Sequence, residues 1–200
     1  MSTPLPIPAR QPQRARGRER VAALLDAAVQ VFEEKGFDAA TMTEVAARAQ
    51  ASIGSLYQFF PSKEVLAQAL LERYAAFINT ALNDLVARAP YLSAQDMAHG
   101  LVDMQVQVRA SRSVALSLVD ARRDAAEVRG GIRDQMTARI ADILLARAPD
   151  MDAARAKNMA VVVLQVLKAI PHLADEAQGA AQLLVEAETM IRLYVEKATT

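Results

Sequence analysis

Three observations predict an all-α fold. The 200-residue chain is 52% hydrophobic but only 4% aromatic, with Ala, Leu and Val dominant. Glycine (7) and proline (8) are sparse, so strong helix formers run long distances without turn residues. Apolar residues recur at helical spacing, and capping residues stand where each stripe begins. The length suits one or two domains and suffices to bury a core.

The same composition excludes several function classes. There is no cysteine, hence no disulfide, thiolate metal site or cysteine nucleophile. No apolar run approaches the roughly 18 residues of a membrane span, and the polar N-terminus carries no secretory signal. A cytoplasmic protein without membrane partners is expected. Lys and Arg (23) balance Asp and Glu (23), so overall charge does not point to nucleic acid. Its distribution is uneven: Arg10, Arg14, Arg16, Arg18 and Arg20 face a single acid, Glu19. From charge alone, a solvated tail and a phosphate-binding arm are equally consistent.

The elements follow in order. Residues 1–16, rich in Pro, Gln and Arg, are predicted to be a disordered basic arm. A first helix starts near Arg18, with Val21, Leu24, Leu25, Ala28 and Phe32 on its stripe. Gly36 ends it, and Phe37 folds back onto its last turn. Thr41, with Glu44 three residues on, forms a capping box for a short second helix ending around Gln50. Ser52 caps a third helix of about two turns, which Pro61 stops. Ser62 caps a long helix from Lys63 to about Ala89, about 40 Å in length. Further helices are predicted at about 93–109, 112–122, 125–148, 152–176 and 179–197. Gly130–Gly131 offers a start near Ile132 for the third of these, and Pro171 should kink or split the fourth.

Helix, tight turn and second helix over residues 41–60 have the proportions of a helix-turn-helix. The second helix is short enough to enter a major groove with its first turn against base edges. Gly54 and Ser55 permit close approach, and backbone N–H groups at the helix start suit phosphate. On a 100° wheel Leu56 and Phe60 share one side, whereas Ser55 and Gln58 lie elsewhere. The bland alternative is a buried helix with polar residues on its solvent side. Both caps, the spacing and Lys63 together favour DNA reading.

These residues carry a resemblance. Residues 18–66, through "AAVQVFEEKGFDAATM", "TEVAARAQAS" and "IGSLYQFFPSKEVL", resemble the DNA-binding domain of the TetR family of bacterial transcriptional regulators. The resemblance covers about a quarter of the chain. It implies a three-helix helix-turn-helix domain at 17–64, joined by a long helix to a helical effector-binding and dimerisation domain at 65–200. It further implies that Thr43 contacts phosphate or a base edge and that Ser52, Gly54 and Ser55 open the recognition helix. Tyr57 bonds phosphate, Gln58 faces the groove, and Lys63 pairs with phosphate. Ile53, uncharged, is suited to a thymine methyl. Gln50 stands where the family often has glycine, which predicts a strained or slightly different turn. Phe59 replaces a common tyrosine, which removes one hydroxyl contact.

In the resembled family the C-terminal domain encloses a cavity for a small, apolar or amphipathic effector. The candidates to line one are Tyr74, Phe77, Ile78, His99, Leu101, Met104, Leu116, Val119, Met136 and Ile140, each equally consistent with a filled core. Two strongly apolar C-terminal helices are expected to pair with a second copy through Val162, Leu164, Leu167, Leu184, Ala187, Ile191 and Tyr194. A homodimer also fits DNA, since two recognition helices about 34–36 Å apart read a palindrome. The resemblance thus implies a repressor released from a palindromic operator on double-stranded DNA by its effector. The alternative is a DNA-binding regulator with no small ligand. His99 and His172 are the only histidines and lack companions at i+3 or i+4, so no metal, cofactor or catalytic residue is expected.

Overall fold

The computed structural model describes residues 15–175 and 179–199. The predicted basic arm falls largely outside them, and its last two residues, Ala15 and Arg16, already belong to a helix. Among the described residues there are nine α-helices and no strand. They are α1 (Ala15–Ala39), α2 (Met42–Arg48), α3 (Ile53–Phe59), α4 (Lys63–Arg88), α5 (Ala94–Gln107), α6 (Arg109–Asp120), α7 (Ala125–Arg147), α8 (Ala153–Asp175) and α9 (Ala180–Thr199).

Two compact units form. The first comprises residues up to Ala76 together with Ala110–Arg123. Its core gathers Leu24, Ala28 and Phe32 of α1, Val45 of α2, Leu56 of α3 and Phe60 just beyond it, Leu66 and Leu70 of α4, and Val114 and Leu118 of α6. Gly36 interrupts α1 with φ 77°, a conformation in which a Cβ would be strained. The chain turns back there, so Phe37 meets Phe32 edge to face at 5.5 Å.

The domain boundary expected between residues 64 and 65 is not where the chain divides. Leu66 and Leu70 face the first core, and α6 joins it with Val114 and Leu118. Periodicity identifies an apolar stripe but not which core it meets, so the sequence showed no sign of this return.

The second unit holds Phe77–Arg109 and the residues from Asp124 onward. In it α8 packs on α7 and α9, and α5 packs on α8 and α9. Met97, Leu101, Ile140, Ile143, Leu144, Leu164 and Leu167 are fully buried at its centre. Pro171 does not split the fourth C-terminal helix: α8 continues through it to Asp175, with the ring buried beside Ile170. One ladder hydrogen bond is lost there, close to the helix end. Gly130 and Gly131 likewise sit inside α7, which starts at Ala125. No helix among the described residues is long and apolar enough to cross a membrane.

Candidate nucleic-acid interface

The short α2 is held by its cap and by two ion pairs to α1. The Thr41 hydroxyl accepts from the Glu44 N–H at 3.3 Å, and Glu44 Oε2 accepts from the Thr41 N–H at 3.0 Å. Lys35 of α1 donates to the same carboxylate. These donors, Lys35 foremost, hold the Glu44 carboxyl down to about 2. At the other end of α2, Arg48 grips both oxygens of Glu34 at 2.7 Å each. That fork holds Glu34 below its ordinary value. These two acids and two bases of α1 and α2 thus serve each other.

The turn between α2 and α3 passes through Gln50 at φ 50°, among the described residues the sole non-glycine with positive φ. The strain predicted from the missing glycine is located there. Ser52 then caps α3, its hydroxyl accepting from the Ser55 N–H at 3.2 Å. Leu56 (0% exposed) and Phe60 (2%) anchor α3 in the core, and half-buried Phe59 packs against it. On the opposite side Ile53 (40%) and Tyr57 (48%) are exposed, as are Ser52, Gly54, Gln58 and, from α2, Thr43. Ser55 is half-buried. A Cβ built on Gly54 would meet nothing within 4 Å, so no internal packing demands a glycine there. Gln58 lies one turn beyond Gly54 on the same face of α3 and is exposed.

Lys63 is placed differently from the expectation. Its Nζ donates to the backbone carbonyls of Phe37, Asp38 and Ala40 at 2.7, 2.9 and 3.0 Å. An ammonium has three N–H donors. All three are engaged inside the domain, so this geometry offers phosphate none.

The residues expected to line an effector cavity divide between the units. Tyr74, Leu116 and Val119 belong to the first; Phe77, Ile78, His99, Leu101, Met104, Met136 and Ile140 belong to the second. Ile78, Leu101, Met104 and Ile140 are core residues, and Phe77 is exposed. His99 lies at the surface, where its Nδ1 stands 3.2 Å from Glu188 Oε2, so a buried lining role does not fit it. The second unit also carries an open groove of about 720 Å³ between α7 and α8. Arg133, Asp134, Asp142 and Lys157 are at the groove, with Val161 and Leu164 beside them, and none of the expected lining residues contributes.

The expected dimer residues divide as well. Leu164, Leu167, Ala187 and Ile191 are buried within their own unit, so no partner can reach them. Val162 (47% exposed) and Tyr194 are accessible, and Leu184 is half-buried. The exposed apolar positions of α8 and α9 are instead Val161, Val162, Leu183, Val185, Met190, Leu193 and Tyr194. A wheel over α9 could have found them. Leu183, Met190 and Tyr194 share a stripe flanking the buried Ala187–Ile191–Val195 stripe. Among the described residues no three His, Asp or Glu are placed to hold a metal ion.

Residues 24–70 match the profile of the tetR family, described as bacterial regulatory proteins. The chain is 33% identical over 66 residues to the A-factor receptor protein of Streptomyces griseus, covering 33% of this chain and 24% of that protein. It is 41% identical over 56 residues to the HTH-type transcriptional repressor KstR of Mycolicibacterium smegmatis, covering 28% of each. The matches therefore span about a quarter of the length of these curated relatives. A transcriptional regulator from Aquifex aeolicus superposes over 87% of this chain and 98% of its own with a TM-score of 0.65. At 17% identity that likeness establishes the fold. The family is one of regulators and not of enzymes, and its profile falls on the helices that build the exposed face of α3. Over residues 24–70 the chain is thus similar to the tetR family of bacterial regulatory proteins.

Proposed function

We propose that the protein is a dimeric, sequence-specific DNA-binding repressor, released from a palindromic operator by a small effector. The observation that carries the DNA reading is the two-sided α3. Leu56 and Phe60 fix it to the core, while Ile53, Gly54, Tyr57 and Gln58 face away from the protein. Its first turn is free of bulk at Gly54, as close approach to base edges requires. Thr43 and Tyr57 supply hydroxyls for phosphate, which positions without reading sequence. Ser52 acts through its cap, ordering the N–H groups of the first turn.

Dimerisation rests on the apolar positions that α8 and α9 leave exposed. Effector control rests on the family and on the A-factor receptor protein among the relatives, which matches over 66 residues. An effector that binds one arrangement of the dimer in preference to another shifts operator affinity by that difference, and a few kcal/mol suffice for release. Such a regulator acts in the bacterial cytoplasm.

Selection from random duplex DNA tests the reading. The wild-type protein is expected to enrich an inverted repeat, and the Tyr57→Ala/Gln58→Ala protein, folded and dimeric, is expected not to. Equal enrichment by both would remove α3 as the reading element. Enrichment by neither would remove sequence-specific binding. The selected operator then serves to screen small molecules for release. A screen in which none releases it would favour a regulator controlled by a protein partner or by abundance.

A further inference from the structure

Lys63 opens α4, immediately after its cap, Ser62. A cation in the first turn opposes the helix dipole, so the stability of α4 does not account for it. Its ammonium instead reaches back across the domain to three carbonyls in the segment 37–40, all within 3.0 Å. It also stands 4.6 Å from the centroid of the Phe37 ring, a cation–π distance. That segment follows the break at Gly36 and delivers the chain to Thr41, the cap of α2. Where it sits fixes where α2 begins, and α2 in turn packs on α3.

We infer that Lys63 is a positioning residue: it clamps the turn between α1 and α2 and thereby sets the orientation of the helix-turn-helix, in place of the phosphate contact the sequence suggests. The inference rests on the DNA-binding reading above. The chemistry of the two roles differs. A phosphate contact needs a cation, and arginine serves it at least as well as lysine. A clamp on three converging carbonyls needs a compact tetrahedral donor, which the planar guanidinium cannot reproduce.

The test compares the full-length wild type with Lys63→Met and Lys63→Arg, using the selected operator and an unrelated duplex over a salt series. Both variants are expected to lose roughly tenfold in operator affinity, the scale of one to two charged hydrogen bonds. Affinity for the unrelated duplex and the slope of log K against log salt are expected to stay unchanged. Amide exchange should quicken in residues 36–48 of both variants. If Lys63→Arg keeps wild-type affinity while Lys63→Met loses about 0.9 from the slope per phosphate contact, the phosphate role stands and the clamp falls. Wild-type exchange at 36–48 in both variants would also overturn it. Should one variant fail to fold, the other still decides. A wild type that does not separate operator from unrelated duplex would sink the DNA reading instead, and the exchange measurement would still judge the clamp.

Discussion

Gln50 and Glu44 show how single residues set the working geometry of the helix-turn-helix. Gln50 holds φ 50° between α2 and α3, where its Cβ crowds the backbone. Gln50→Gly should therefore raise stability by about 1 kcal/mol, the relief of strain less the extra entropy of the unfolded glycine. Urea unfolding measures this, and an unchanged or lower midpoint would show the turn to be relaxed. Glu44 carries a pH signature. Its carboxyl titrates at about 2 in the folded protein and near 4.5 when unfolded. The unfolded state thus binds the proton first as pH falls. The contribution of Glu44 is complete above about 4.5 and is lost between there and about 2. Thermal unfolding from pH 7 to 2.5 should show a shallower acid decline for Glu44→Gln than for the wild type. The capping box and the strained turn were legible in the sequence because both act within three residues along the chain. The Lys63 clamp was not, since its partners lie 23 to 26 residues away and are backbone atoms that no side-chain pattern announces.

At the scale of elements, the proposed DNA reading rests on α3. It contains neither Lys nor Arg, so the bidentate cation that most often reads guanine is absent from it. Gln58, exposed one turn beyond Gly54, has the amide chemistry that pairs with the N6 and N7 edge of adenine. Each half-site is expected to hold an adenine that Gln58→Ala no longer selects, at a cost of about 1–3 kcal/mol for that position alone. Gln58→Arg should shift that position towards guanine. Selection with the two variants checks this, and an unchanged consensus would place Gln58 outside the groove. Helix order and most boundaries were readable from caps, glycine and proline. Pro171 and Gly130–Gly131 were read as sharper punctuation than they are. Packing holds α8 to a helical course across the buried Pro171, a tertiary effect that outweighs local propensity, whereas α7 runs through Gly130 and Gly131 with no neighbour within 4 Å of either Cβ position. The attachment of α6 to the first core was illegible for the same reason: Val114 and Leu118 form an ordinary stripe until their partners are known.

For the whole molecule, the question is what meets the second unit. The dimer residues expected from the sequence mix two faces of α8 and α9, because the most apolar positions of a packed helix are those its own core takes. Leu167 and Ile191 are buried at 0% and 1% exposure, whereas Val162 and Met190 remain open at 47% and 52%. A partner helix can meet only the open set, and exposed apolar residues of this kind are the candidates for an association site. The two faces make opposite predictions. Val162→Glu with Met190→Glu should leave the thermal midpoint of the subunit fold nearly intact and abolish the dimer, because a carboxylate in an apolar interface is left without a partner. Leu167→Ala should cost about 2–5 kcal/mol of folding stability through a buried cavity while leaving the association face untouched. Sedimentation equilibrium separates the two, with operator binding as the functional readout. One α3 spans only a few base pairs, so the monomeric variant should lose inverted-repeat recognition even though its helix-turn-helix is unaltered. A double variant that still sediments as a dimer would exclude this stripe as the interface. A Leu167→Ala protein that folds normally yet sediments as a monomer would return the interface to the buried positions first inferred from the sequence.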